Sequence, residues 1–144
     1  MKVEIQRLDP GLLLPKHQHQ DDAGCDLYAR EDSVIAANGG RRLVSTGIAI
    51  AVPPGYAALV LPRSGLAHKY GITCLNAPGL IDSQYRGELK VLLLNTDPHA
   101  DYAVSRGDRI AQLLITPVVK VEWVEVKDLS ETARGESGFG STGR

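Results

Sequence analysis

Apolar and polar residues alternate with a period of two along several stretches of this chain, and the alternation predicts strands buried on one face. Val44, Thr46, Ile48, Ile50 and Val52 share one parity, with Gly47, Ala49 and Ala51 opposite. A single strand is expected there, ended by the turn Pro53-Pro54-Gly55. Val119, Val121 and Trp123 alternate with Lys120 and Glu122; the slip at Val124 reads as a bulge or as a strand that changes partner. Leu89 to Leu94 and Ile110 to Ile115 are short, almost continuously apolar runs bounded by turn residues, and their length favours buried strands over helices. One helical turn is expected after Ser64, which is placed to cap Gly65 to Lys69. Strands roughly eight to twelve residues apart, with no alternating helices, predict an all-β fold: a jelly-roll-like sandwich or barrel with at most one short helix.

Composition narrows this further. A chain of 144 residues fits one domain and buries roughly 70% of its unfolded surface, so it needs no disulfide or metal to fold. The stretches free of Gly and Pro are mostly short, the longest running from Val118 to Arg134, which excludes a helical bundle. Sixteen basic and 17 acidic residues give a net charge of -1, which argues against a nucleic-acid coat or a binder of anionic membranes. No run approaches the ~18 apolar residues of a membrane helix, and Met1 to Ile5 carry no signal core, so a soluble, cytoplasmic protein is expected. Cys25 and Cys74 lack the spacing of a zinc site and read as reduced, partly buried thiols. Composition changes at Leu129: Ser130 to Arg144 holds four Gly, three Ser and two Thr. Residues 1–128 are expected to form the core and 129–144 a mobile arm.

The arm carries its own chemistry. Its glycines let backbone N–H groups converge on an anion, its hydroxyls add donors, and Arg134 offers a planar partner for phosphate. Gly135 to Gly140 imitates a P-loop, but the Lys that should follow is missing. Three further clusters stand beside it: two carboxylates in Asp22-Ala23-Gly24-Cys25-Asp26, a guanidinium and hydroxyl in Pro62-Arg63-Ser64-Gly65, and an acid, an amide and an aromatic in the turn-rich Asn76 to Glu88. Taken singly, Asp82 reads as a turn residue and Tyr85 as a half-buried edge aromatic.

Together the segments are far more specific. Asp22 to Tyr28, Pro62 to Ala67, Gly79 to Glu88, Arg106 to Gln112 and Arg134 to Gly143 resemble, in order and spacing, the five motifs of the homotrimeric deoxyuridine triphosphatase (dUTPase) family. The resemblance implies a jelly-roll homotrimer that hydrolyses dUTP to dUMP and pyrophosphate with Mg²⁺, each active site being built from motifs of different subunits. By motif, Asp82 is implied to orient and deprotonate the water that attacks the α-phosphorus. Tyr85 would lie against the deoxyribose and reject a 2′-hydroxyl, while Asn76 and the backbone of Gly79, Leu80 and Ile81 would read the uracil edge. Asp26 would hold Mg²⁺ through its water shell, since magnesium dehydrates reluctantly and takes most ligands from substrate phosphates. Arg63, Ser64, Gly65 and Gln112 would hold phosphate oxygens, and Lys90 is counted among the substrate-binding residues.

From the arm, Arg134 would clamp the γ-phosphate, Phe139 would stack on uracil, and Gly140, Ser141 and Thr142 would complete the phosphate contacts. Arg106, Asp108 and Arg109 read more simply as a charged turn with a local ion pair. One departure stands out: Ser137 occupies a position where many relatives carry Gly, at a cost of roughly 1 kcal/mol if that position needs a positive φ. Rival readings are a dCTP deaminase of the same superfamily, which uses a Glu as proton shuttle, a non-catalytic nucleotide-binding jelly roll, which would not need Asp82, and a coat-type jelly roll, which would show no preference among nucleotides.

Overall fold

The structure, a computed structural model, describes residues 1–133, 135 and 136. The described residues form eleven strands and one helix: β1 (Glu4–Arg7), β2 (Cys25–Tyr28), β3 (Ser33–Ile35), β4 (Arg41–Ser45), β5 (Ile48–Ala51), β6 (Tyr56–Leu61), α1 (Ser64–Tyr70), β7 (Ile72–Cys74), β8 (Gly79–Ile81), β9 (Lys90–Asn95), β10 (Tyr102–Val104) and β11 (Arg109–Pro117). All pairings are antiparallel. They make a four-stranded sheet in the order β2-β11-β6-β8, a three-stranded sheet β4-β9-β7, and the two pairs β1-β5 and β10-β3. The all-β class read from the sequence holds, and the sheets stay open rather than closing into a barrel.

Alternation explains the core. Along β9 the pattern is exposed, buried, half-buried, buried, half-buried, buried, so Val91, Leu93 and Asn95 point inward. Val91 and Leu93 meet Leu27, Ile35, Val44, Ile48, Ile72 and Ile110 in one cluster. Burial of an aliphatic side chain stabilises by about 1.5–3 kcal/mol, and more than a dozen aliphatic residues lie in this cluster. Asn95 is fully buried and fully paired: its amide N–H₂ donates to the carbonyls of Ile35 and Ala100, and its oxygen accepts from the Asp97 N–H.

Three expectations are corrected. The run from Val44 to Val52 is two strands, because Gly47 takes φ 73° and turns the chain between β4 and β5. A side chain there would sit 2.9 Å from Asp9 Cβ, so the break is fixed by packing as well as by conformation. Ser64 is the first residue of α1 rather than its cap. Arg63 holds the N-cap position with no side-chain cap hydrogen bond. Finally, Val119 to Val124 form no strand: no segment of this chain pairs with them among the described residues, and Val119 and Trp123 are each 89% exposed. Period-two alternation presupposes a face to cover, and these residues find none among the described residues.

Candidate active site

Motifs distant in sequence meet where β6 ends. On β11, Gln112 pairs with Asp26 of β2 on one side and with Leu61 of β6 on the other. Residues directly opposite one another share a sheet face, so Asp26 and Gln112 point the same way. Gly24 lies close beside this row: a Cβ added there would touch the Gln112 Cβ at 3.4 Å, ordinary van der Waals contact. Two residues past β6, Arg63 turns back over this row. Its Nε lies 3.3 Å from Asp26 Oδ1, and its Nη1 donates to the Arg109 carbonyl at 2.8 Å. Ser64 and Gly65 follow as the exposed first residues of α1. The helix is pinned by buried Leu66 and closed by Gly71 in the left-handed region at φ 64°.

Asp26 is the electrostatic centre of the cluster. It is 3% exposed, and Arg109 Nη1 donates to its Oδ2 at 3.3 Å. A lone buried carboxylate would be costly; two guanidiniums leave the group with a net positive charge, suited to an anion. Oδ1 is buried and makes no hydrogen bond among the described residues. The sequence reads Arg109 as an ordinary charged turn residue, and its contact with Asp26 is a feature that reading misses. The missing signal is a bulge. Three residues separate Arg109 from Gln112, which on a regular strand would put them on opposite faces. The register shift between Arg109 and Ala111 returns Arg109 to the Asp26 face.

A second group forms around β8. Gly79 pairs with Val60, and an added Cβ there would lie 3.3 Å from both Asn76 Nδ2 and Val60 Cβ. A side chain at Gly79 would therefore have to push the Asn76 amide or Val60 aside by a few tenths of an ångström. Leu80 is exposed, Ile81 pairs with Ala58, and Asp82 follows, exposed to solvent. Its carbonyl accepts the Tyr85 N–H at 3.1 Å, the Tyr85 hydroxyl donates to the Glu88 carbonyl at 3.0 Å, and Arg86 Nη1 donates to the carbonyls of Ser83 and Tyr85. The Tyr85 ring lies across Gly87, where any side chain would strike it. Glu88 anchors the loop through the Gly47 N–H and Arg30. Lys90 stands apart at the start of β9, paired with Ser45 in the three-stranded sheet.

The two groups do not meet. The Ala58 rung beside Ile81 and the Leu61 rung beside Gln112 are three residues apart on β6, about 10 Å at ~3.3 Å per residue, and Asp82 continues away from Gln112. Within one chain, Asp82 and the Asp26–Arg63–Gln112 cluster thus lie toward different ends of the sheet. Arg134, Phe139, Gly140, Ser141 and Thr142 lie outside the described residues, as does Ser137.

The local ion pair expected within Arg106, Asp108 and Arg109 does not form among the described residues; Asp108 accepts from the Ser105 N–H instead, and Arg106 reaches a distant acid. Arg106 grips Asp9 with both Nη atoms, one at 2.9 Å, and Arg30 Nε lies 3.6 Å from the same carboxylate. The Arg106 hydrogen bond holds the Asp9 carboxyl down at about 2, against the opposing effect of burial and with help from the Gly11 N–H. Arg30 in turn reaches Glu88. A chain of charges thus ties the turn before β11 to the loop after β8. Both cysteines are free, and burial pushes the Cys74 thiol up to about 11, leaving it inert at neutral pH.

Comparison with known proteins gives the family and the fold. The dUTPase family profile matches residues 12–143. The deoxyuridine 5′-triphosphate nucleotidohydrolase of Thermobifida fusca is 58% identical over 99% of this chain and 79% of its own length. The Corynebacterium glutamicum protein of that name is 54% identical over 99% and 95%. Among solved structures, the dUTPase of Staphylococcus bacteriophage 80alpha with dUpNHpp superposes with a TM-score of 0.87 at 27% identity, covering 99% of both chains. A dUTPase from phage phi11 of S. aureus, solved with a structural Mg(II) ion, shares the fold at a TM-score of 0.79 and 24% identity, over 89% of this chain and 98% of its own. The chain is therefore an enzyme, and it belongs to the dUTPase family.

Proposed function

We propose that this enzyme hydrolyses dUTP to dUMP and pyrophosphate, as a homotrimer whose active sites are shared between subunits. The observation that carries the reading is the division just described: a cationic group centred on Asp26 at one end of the sheet, and the acid Asp82 beyond the far end of β8. A trimer lets the loop of one subunit face the Asp26 cluster of the next. The arm, residues 129–144 beyond a core of 1–128, supplies Arg134, Phe139, Gly140, Ser141 and Thr142 to close over a bound nucleotide.

Asp82 then accepts a proton from water as the water oxygen bonds to the α-phosphorus, and the bond to the bridging oxygen breaks with pyrophosphate leaving. Its exposure leaves the carboxylate open to an attacking water. Tyr85, held by the Glu88 carbonyl, presents its ring to the deoxyribose, and a 2′-hydroxyl would collide with it. Asn76 and the backbone of Gly79 to Ile81 pair with the uracil edge. Arg63, Ser64, Gly65 and Gln112 bind phosphate oxygens, with Lys90 adding positive charge.

The residues present fit a magnesium ion held through water. Asp26 is already compensated by two guanidiniums, so it is a poor direct ligand, yet its buried Oδ1 keeps unused acceptor capacity. No cluster of three acidic, His or Cys ligands occurs among the described residues, as expected where most ligands come from substrate. Bound there, the ion would neutralise charge on the triphosphate and its departing pyrophosphate.

The product would feed thymidylate synthesis and the reaction would keep uracil out of DNA. The net charge of -1 fits a cytoplasmic enzyme of free nucleotides that binds neither nucleic acid nor membrane. No helix among the described residues is long and apolar enough to cross a membrane. The test is pyrophosphate release from dUTP, dCTP, dTTP and UTP, with and without Mg²⁺. We expect turnover of dUTP alone and only with the metal; comparable turnover of UTP or dCTP would refute the reading.

A further inference from the structure

We propose that Arg109 is a positioning residue for triphosphate binding: its guanidinium holds the Asp26 carboxylate in place, so that Arg63 stays turned toward the phosphates. This rests on the function proposed above.

Three contacts define the unit. Arg109 Nη1 occupies Asp26 Oδ2 at 3.3 Å, Arg63 Nε approaches Oδ1 at 3.3 Å, and Arg63 Nη1 is tied at 2.8 Å to the Arg109 carbonyl. A carboxylate facing a single arginine favours the bidentate fork, with two parallel N–H donors on its two oxygens. Arg109 blocks that fork by taking one oxygen. Arg63 is thereby restricted to a single long contact with Asp26, and no described residue pairs with its Nη2. Without the Arg109 side chain, Arg63 would fold onto both Asp26 oxygens, removing one cation from the phosphates and the Oδ1 acceptor from the metal's water shell.

The backbone is built for this contact. The bulge between Arg109 and Ala111 is what sends Arg109 to the Asp26 face while Ile110 and Ala111 both remain buried in the core. A regular strand would aim Arg109 to the other side.

The proposal differs from simple neutralisation of a buried acid, and from direct phosphate binding by Arg109, in its dependence on Asp26. Calorimetric titration with the dUTP analogue dUpNHpp, with and without Mg²⁺, and with deoxyuridine, separates these on wild type, R109Q, R109K, D26N and the double variant D26N/R109Q. We expect R109Q to weaken dUpNHpp binding about tenfold or more, to leave deoxyuridine within about twofold, and to raise KM for dUTP more than it lowers kcat. R109K should recover part of the loss. In the D26N background, adding R109Q should change dUpNHpp affinity by less than about threefold, because the effect passes through Asp26.

A full further loss in the D26N background would show Arg109 acting on substrate directly and would overturn the proposal. An equal loss for deoxyuridine would make the role structural and would also overturn it. Should R109Q fail to fold, D26N and D26N/R109Q, which bury no unpaired carboxylate, decide the matter by the same criterion. Wild type that neither binds dUpNHpp nor hydrolyses dUTP would refute the function itself and this role with it; active wild type with additive variants refutes the role alone.

Discussion

At the scale of single residues, the structure separates groups whose chemistry is alike. Asp82 is exposed, and among the described residues its side chain makes no hydrogen bond while its backbone carbonyl accepts the Tyr85 N–H, so its carboxylate contributes little to folding. Asp82→Asn is expected to lower kcat by roughly 10²–10⁴ with a nearly unchanged melting temperature, read by pyrophosphate release and calorimetry. Asp9 is the reverse case. Its pKa is held at about 2, below its ordinary 3.8, chiefly by Arg106. An acid with a depressed folded pKa stabilises the fold fully above its unfolded value, and that contribution drains away as pH falls toward the folded one. Wild type should therefore lose melting temperature between about pH 4 and about pH 2, and its advantage over Asp9→Asn should shrink across the same window. A constant difference between the two variants would show that the ion pair contributes nothing.

At the scale of elements, packing edits what alternation predicts. The strands of β9 and β11 were legible because their apolar runs are bounded by turn residues. The break at Gly47 was not: its neighbours keep strict parity across it, and the turn follows from Asp9 and Leu12 lying against the backbone, contacts that no local pattern encodes. Gly47→Ala should cost about 2–4 kcal/mol, from a strained positive φ and overpacking against Asp9, seen as a lower urea midpoint. The Arg109 bulge is a similar omission. By contrast, the motif residues themselves were legible, because Asp26, Arg63 and Gln112 belong to short fixed spacings that three paired strands bring into one row.

At the scale of the whole molecule, the exposed stretch after β11 is the largest departure from a self-sufficient fold. Val119, Val121, Trp123, Val124 and Val126 are all exposed, an apolar segment of a kind that a subunit interface covers. Assembly into a trimer should bury Trp123, so its fluorescence should shift to the blue on association and to the red under dissociating conditions, with sedimentation giving the mass. Truncation after Ala133 should leave the oligomer folded and remove most dUTP turnover; full activity in the truncated protein would return the arm to an inert tail.

The placement of Asp82 beyond the Ile81 rung, itself roughly 10 Å of strand from the Gln112 row, has a genetic consequence. If each site draws its acid from one subunit and its phosphate grip from the next, two dead enzymes can repair each other. A subunit carrying Asp82→Asn still brings an intact Arg63, and one carrying Arg63→Ala still brings an intact Asp82. On random mixing of equal amounts, about one site in four would combine both intact halves. Complementation of two null alleles would thus be the phenotype of a division already visible in the path of a single strand.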